Sequence, residues 1–563
     1  MHRDDERSRR GTRAWPAATV PSMITPHAEH EWWKTAVVYQ IYPRSFQDTT
    51  GDGTGDLNGI TEQLEYLADT LGVGAIWISP FYTSPMADFG YDVADYCDVD
   101  PLFGTLDDFD RLLAEAHRRG LKVIVDWVPN HSSDQHPWFI ESRSSLASPK
   151  RDWYVWQDPR SDGSLPNNWQ SVFGGAAWEF DEATGQYYLH SFLSEQPDLN
   201  WRNPDVVAAM HDTLRFWLDR GVDGFRIDVA HFIMKDPALT DNPPAPPPSD
   251  ETDFKAMGGY DRWDHVNDKG NVDVHGAFKG IRRVLDEYDG DRFSVGEIHV
   301  FDWAEWAGYY GDGDELHMPF NFSLVWSDWS AVAIRSRVEG LETAIPRHGW
   351  PNYVLGNHDE QRLATRFGTR NARAAAVLLL TLRGQPTIYY GEELGLRETE
   401  IPAEREQDPW GIRVPGMSRD GCRTPMPWTA APGHGFTVPG TEPWLPFGED
   451  ATRRNAEEQL SDPSSILNLY RRLLRLRQDR TSLNSGAIEF IDDVPDGVLG
   501  FIRSDGIERT IVWINFTDET RSVPIPDRSV LLVSTNHDRA SIPSEVIALS
   551  PNEALAIDPG PGA

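Results

Sequence analysis

Short apolar runs alternate with helical periodicities along most of the chain. Residues 37–41 and 75–78 each read as a strand. Thr105 then caps a helix whose apolar positions, Phe109, Leu112, Leu113 and Ala116, share one face, and Gly120 stops it. Residues 122–128 follow at once as a buried strand. Asn203 and Pro204 supply an N-cap and a proline in the first turn of a helix that runs through Met210, Leu214, Trp217 and Leu218 to Gly221. Residues 224–228, 293–297, 353–356 and 387–390 are further short strands. Strand–helix alternation of this kind means parallel β-structure with crossover helices, and 563 residues favour a (β/α)8 barrel.

Two stretches break the alternation. Residues 130–204 are rich in Trp, Gly, Asn and Ser without a helical period, and read as a subdomain inserted after the third strand. Residues 237–250 hold five prolines between Pro243 and Pro248, the mark of a surface excursion. From residue 483 the pattern turns to short β runs at 500–503, 510–515 and 530–534, giving a C-terminal antiparallel β domain. The expected organisation is a disordered polar tail (1–31), a first barrel part (32–129), the insertion (130–204), the rest of the barrel (205–482) and the β domain (483–563). No internal repeat interrupts it.

Charge narrows the function. With 52 Lys+Arg against 88 Asp+Glu, the net charge is −36, and such a surface repels phosphate backbones and anionic lipid. The longest apolar run, 374–380, is far too short to span a bilayer. The N-terminus shows no apolar signal region, and the two cysteines, Cys97 and Cys422, lie far apart, so the expectation is a cytoplasmic chain without a disulfide framework. Aromatics make up 11%, with 22 Trp. Flat rings among many carboxylates suit a neutral, hydroxyl-rich ligand.

The candidate chemistry sits where strands end. Residues 123–125 lead into Asp126, then Asn130 and His131; 224–227 carry Arg226 and lead into Asp228; 294–296 lead into Glu297; 354–356 lead into Asn357, His358 and Asp359. In a barrel these ends converge on one rim, where active sites lie. Several carboxylates gathered there repel one another unless function requires them. Paired carboxylates with a cation nearby suit glycosidic bond cleavage, one ionised as nucleophile and the other protonated as acid. Arg226, two residues before Asp228, shares its strand face and keeps it charged.

These motifs resemble the α-amylase family of glycoside hydrolases, in its α-glucosidase and oligo-1,6-glucosidase branch. Asp126-Trp-Val-Pro-Asn-His131, Gly224-Phe-Arg-Ile-Asp228, Val295-Gly-Glu297 and Asn357-His-Asp359 match the family's four signature regions in order. Gln196-Pro-Asp-Leu-Asn200 and the segment from Trp33 to Phe46 are similar to that branch's fifth region and first strand. The resemblance implies a retaining, exo-acting α-glucosidase, with some transglucosylation, acting on short oligosaccharides. It implies Asp228 as nucleophile, Glu297 as general acid/base and Asp359 as transition-state stabiliser. Around one glucose it implies Asp88, Tyr91, His131, Phe173 and His358, with Arg423 pairing with Asp88 to block the far end. Val229 at this position accompanies α-1,6 cleavage in the branch.

The segment Asp48, Thr50, Asp52, Thr54 and Asp56 spaces oxygens like a calcium loop, with Gly53 at the sixth position but Gly59 where an EF-hand has Glu. Related glucosidases hold Ca2+ or Mg2+ in a similar loop, so a structural cation is the expectation; catalysis needs no cofactor. The rival readings are a transglucosylase or sucrose isomerase of the same family, and a non-catalytic transporter subunit. Arg362-Leu-Ala-Thr-Arg366 departs from the isomerases' Arg-Leu-Asp-Arg-Asp motif, and no membrane helix marks a transporter subunit. A monomer or homodimer is expected.

Overall fold

The computed structural model describes residues 31–246, 257, 259–300, 302–543 and 545–560. The tail assigned to 1–31 lies outside the described residues except for Glu31, as do Pro247 and Pro248 of the proline run.

Eight parallel strands form the central sheet: β1 (Val38–Ile41), β2 (Ala75–Ile78), β3 (Lys122–Trp127), β4 (Gly224–Ile227), β5 (Phe293–Gly296), β6 (Met318–Pro319), β7 (Asn352–Val354) and β8 (Gln385–Tyr389). Neighbours run β6-β5-β4-β3-β2-β1-β8-β7, the cyclic order of a (β/α)8 barrel. Side chains close the remaining seam. Asn352 Nδ2 donates to the Pro319 carbonyl at 2.6 Å, and its Oδ1 accepts from the Asn321 amide at 2.9 Å. The strands are buried on both faces, which is why they read as continuous apolar runs. Val38, Ala75, Trp77, Ile124, Phe293, Val295 and Val354 fill the interior together. Above that apolar layer the inward positions turn polar, with Gln40, Asp126 and Arg226 all buried.

The helices follow local chemistry. Leu106–Arg118 begins with a capping box between Thr105 and Asp108, and Gly120 leaves it at φ 77°. Pro204–Arg220 is capped by Asn203 and ends at Gly221, whose φ of 103° suits only glycine. Between β3 and the second of these helices lies a three-stranded antiparallel sheet of Trp156–Gln157, Gln186–Leu189 and Trp178–Asp181. It is tied back to the barrel rim where Lys235 Nζ meets Asp198 at 2.7 Å and Asn130 at 2.6 Å. The C-terminal residues form a five-stranded antiparallel sheet and a two-stranded one. Arg503, buried in the larger sheet, donates to the Thr381 carbonyl at 2.6 Å and fixes it against the barrel helix Thr369–Thr381. Among the described residues, no helix is long and apolar enough to cross a membrane.

Candidate active site

β4 stops at Ile227, β5 at Gly296 and β7 at Val354, so Asp228, Glu297 and Asp359 all stand just past strand ends on one rim. Arg226 is the centre of the arrangement. Its Nη1 donates to Asp126 at 2.8 Å and to Asp228 at 2.7 Å, while its Nη2 bonds Glu297. Asp228 and Glu297 therefore occupy the two prongs of one guanidinium. Glu297 Oε1 meets His299 at 2.6 Å. Glu297 is also gripped by backbone: its Oε2 accepts from the Val229 amide at 3.3 Å and its carbonyl from the Ala230 amide at 3.1 Å. That turn holds Val229 at φ 33°, a left-handed conformation that a β-branched residue adopts only under constraint.

Burial pushes the Asp228 carboxyl well above the usual carboxylate range; Arg226 opposes the rise, and the charges of Glu297, Asp126 and Asp359 add to it. Burial also pushes Asp126 up to about 6 against Arg226. Glu297 goes the other way: against its own burial, Arg226 and the His299 hydrogen bond hold it low.

Asp359 sits on the opposite wall. Its Oδ1 accepts from Arg423 at 2.9 Å and Arg419 at 3.1 Å, and its Oδ2 lies 3.2 Å from His358 Nε2. Gln40 Nε2, a donor, lies 2.7 Å from His358 Nδ1, so the ring proton is on Nε2, facing Asp359 and the Tyr91 hydroxyl at 2.7 Å. Burial keeps both histidines neutral, with His358 down to about 3 and His131 to about 4. Tyr91 lies flat on His358, with ring centroids 5.4 Å apart.

Asp88 is paired, but with a different arginine from the one expected. Asp88 Oδ1 pairs with Arg419 Nη2 at 2.8 Å, not with Arg423. Arg423 lies beneath, where its Nε donates to the His358 carbonyl at 2.7 Å and its Nη2 to Asp359. The short turn Asp420–Cys422 separates the two arginines, and buried Asp408 fixes Arg419 through Nε at 2.9 Å and Nη2 at 2.7 Å. Arg419 also covers Phe173, which stacks on Trp410 at 5.2 Å. His131 holds Gln196 at 3.1 Å, and Gln196 reaches the second Asp88 oxygen at 3.2 Å. Asp88, Tyr91, His131, Phe173, Val229 and His358 thus surround one cavity of about 900 Å³, mouth included, with the three strand-end carboxylates on its walls. Arg226 lies beneath it. Arg419, Asp408, Trp410 and Gln196 were not among the residues expected from sequence to build the pocket.

The Asp48 loop is shaped by its own donors. Asp48 accepts from the amides of Thr50, Gly51 and Gly53 at 2.7–3.0 Å and from the Thr437 hydroxyl at 2.5 Å. Asp52 accepts from the Thr54 amide, and Asp56 is turned away to cap the helix Leu57–Glu62. Among the described residues, no three His, Cys, Asp or Glu side chains converge.

Residues 40–486 match the model of the α-amylase catalytic domain. The chain belongs to the α-amylase family. Within it, the chain is 45% identical over 520 residues to a probable α-glucosidase of Rhizobium meliloti, covering 90% of this chain and 93% of that one. It is 38% identical over 553 residues to an oligo-1,6-glucosidase of Parageobacillus thermoglucosidasius, covering 91% and 95%. The solved structure of an α-glucosyl transfer enzyme superposes with a TM-score of 0.88 at 42% identity, covering 94% of this chain and all of that one. The family's glycoside hydrolase chemistry and the strand-end carboxylates therefore coincide in one pocket.

Proposed function

We propose that the protein is a retaining, exo-acting α-glucosidase that releases glucose from the non-reducing end of short α-1,4 and α-1,6 glucosides and transfers part of it to acceptors. The observation that carries this reading is the Asp88–Arg419 pair on the cavity wall, which supports a pocket that ends behind one sugar. Asp228 attacks the anomeric carbon, the glycosidic bond breaks, and Glu297 gives its proton to the leaving oxygen. Water, deprotonated by Glu297, then displaces Asp228 and restores the α configuration. Two carboxyls on one guanidinium stand close, in keeping with the ~5–5.5 Å of retaining enzymes. Substrate sets the proton order. Positive charge at the anomeric carbon favours ionised Asp228, and the glycosidic oxygen against Glu297 favours its protonated form. Asp359, held ionised by Arg419 and Arg423, is left to bind hydroxyls of the glucose ring as it flattens.

A closed pocket cannot thread a polymer. Maltotriose and isomaltotriose should lose one glucose at a time, while soluble starch keeps its iodine colour. Rapid loss of that colour without matching glucose would show an open cleft. Early product examined by proton NMR should be α-glucose.

Val229 lines the pocket beside both catalytic carboxyls and supports α-1,6 cleavage. Val229→Thr should move the isomaltose-to-maltose ratio toward maltose by roughly tenfold, since a methyl-scale change is worth about 1–3 kcal/mol. A parent enzyme with no isomaltose activity overturns this part of the reading.

Transfer is favoured over isomerisation as the side activity because the segment Arg362–Arg366 lacks the isomerases' motif. The intact carboxylates oppose the reading as a non-catalytic subunit. We place the enzyme in the cytoplasm as a monomer or homodimer without nucleic-acid or membrane partners, on its free thiols and its charge of −36. Because donors of the loop already satisfy Asp48, millimolar EDTA or Ca2+ should leave the melting temperature unchanged. A rise of several degrees with Ca2+ would show that the loop assembles around the ion.

A further inference from the structure

On the Glu297 side of the pocket lies a cation that the glucose site does not use. Lys269 lines the cavity, with Nζ 5.2 Å from the centre of the Phe232 ring and 5.3 Å from that of Tyr260. Its hydrogen bond is to the Tyr260 hydroxyl, at 3.3 Å. Among the described residues no carboxylate pairs with it. The adjacent Asp268 is the carboxylate that acts on it most strongly, but makes no ion pair with it; its Oδ2 meets His265 Nδ1 at 2.6 Å, and His265 is itself stacked on Tyr260 at 3.6 Å. Asp261, Asp264 and Glu305 act on Lys269 only from beyond ion-pair distance. The backbone beside Lys269 is fixed, since the Gly270 amide donates to the His231 carbonyl at 2.8 Å.

His231 lies beside the cation as a neutral neighbour. It is buried at 1% exposure, lines the same cavity, and places Nδ1 3.2 Å from the Glu297 carbonyl, while its Nε2 has no partner among the described residues. The three catalytic carboxylates already have Arg226, Arg419 and Arg423 as counter-ions. A half-buried ammonium with no carboxylate at ion-pair distance among the described residues is costly, and stands out in a chain with a net charge of −36. The acid/base side is also where a leaving group departs. We infer that Lys269 is the specificity determinant of the aglycone side and selects α-glucosides whose aglycone carries an anionic group. This rests on the glucosidase reading for the position of the glucose.

Calorimetry on the Asp228→Asn form tests it without turnover. Maltobionate and maltitol differ only in a carboxylate against a hydroxymethyl group on the former reducing carbon; isomaltobionate and isomaltitol repeat the comparison for the 6-linkage. With Lys269 present, the carboxylate member of at least one pair should bind about tenfold tighter, the scale of one charge-assisted hydrogen bond. Lys269→Arg should keep that preference, Lys269→Met should abolish it and Lys269→Glu should reverse it. Equal affinities with Lys269 in place, a preference that survives Lys269→Met, or no binding by any of the four overturns the proposal. The glucosidase reading stands or falls separately, on hydrolysis of neutral 4-nitrophenyl α-glucoside by the parent chain.

Discussion

Asp228→Asn and Glu297→Gln should each abolish most activity on maltose, but in distinguishable ways. Loss of a general acid/base costs roughly 10²–10⁴ in rate, and loss of the nucleophile costs more because no covalent intermediate forms. α-Glucosyl fluoride separates the two, since fluoride leaves without a proton. Glu297→Gln should still be glucosylated by it and stall as the covalent species, visible by mass spectrometry. Azide should rescue that variant and give the α-azide, because it attacks an intermediate attached from the β face. Rescue of Asp228→Gly by azide should give the β-azide. The same azide anomer from both variants would show that the roles are wrongly assigned.

The two substitutions should also differ in stability. Asp228 has a folded pKa raised by burial, so its ionisation destabilises the fold as pH rises from the unfolded value near ~4 through the folded one. Asparagine removes that cost at pH 7, and Asp228→Asn should melt no lower than the parent. Glu297 is held low by Arg226 and His299, so its contribution is present above ~4.3 and lost as pH falls toward its folded pKa. Glu297→Gln should melt lower at neutral pH.

What was legible in the sequence follows from how each feature is encoded. The strands carrying Asp228 and Glu297 are buried on both faces and read as apolar runs, so the polar residue that ends each is conspicuous. Tyr91 and His358 stood out through their motifs, and their stacking agrees. β6 was missed because it is only two residues, Met318–Pro319, too short for any period. The exchange of Arg419 for Arg423 has another cause. Both arginines reach Asp359 from one short segment, and only the contact between Asp408 and Arg419, across a loop, decides which of them also reaches Asp88. Lys269 had no sequence signal at all, because its place on the cavity depends on Phe232 and Tyr260, brought to it by the fold.

Arg226→Leu should produce the largest loss of stability of any single change in the pocket. The guanidinium is fully buried and is the shared counter-ion of Asp126, Asp228 and Glu297, so leucine leaves three buried carboxyls facing one another. Breaking a buried pair from one side costs about 3–5 kcal/mol, and here one cation serves three acids. The carboxyls can relieve that cost only by taking up protons. All three folded pKa values should then lie above their unfolded values near ~3.9 and ~4.3, which makes the variant lose stability as pH rises through the unfolded pKa values and on to the raised folded ones. The gap to the parent should be widest above pH 7 and narrow as pH falls toward 5. Melting temperatures measured across that range in one buffer series check the slope. A gap that stays constant with pH would mean that Arg226 contributes packing alone, and that the three acids find their protons or partners elsewhere.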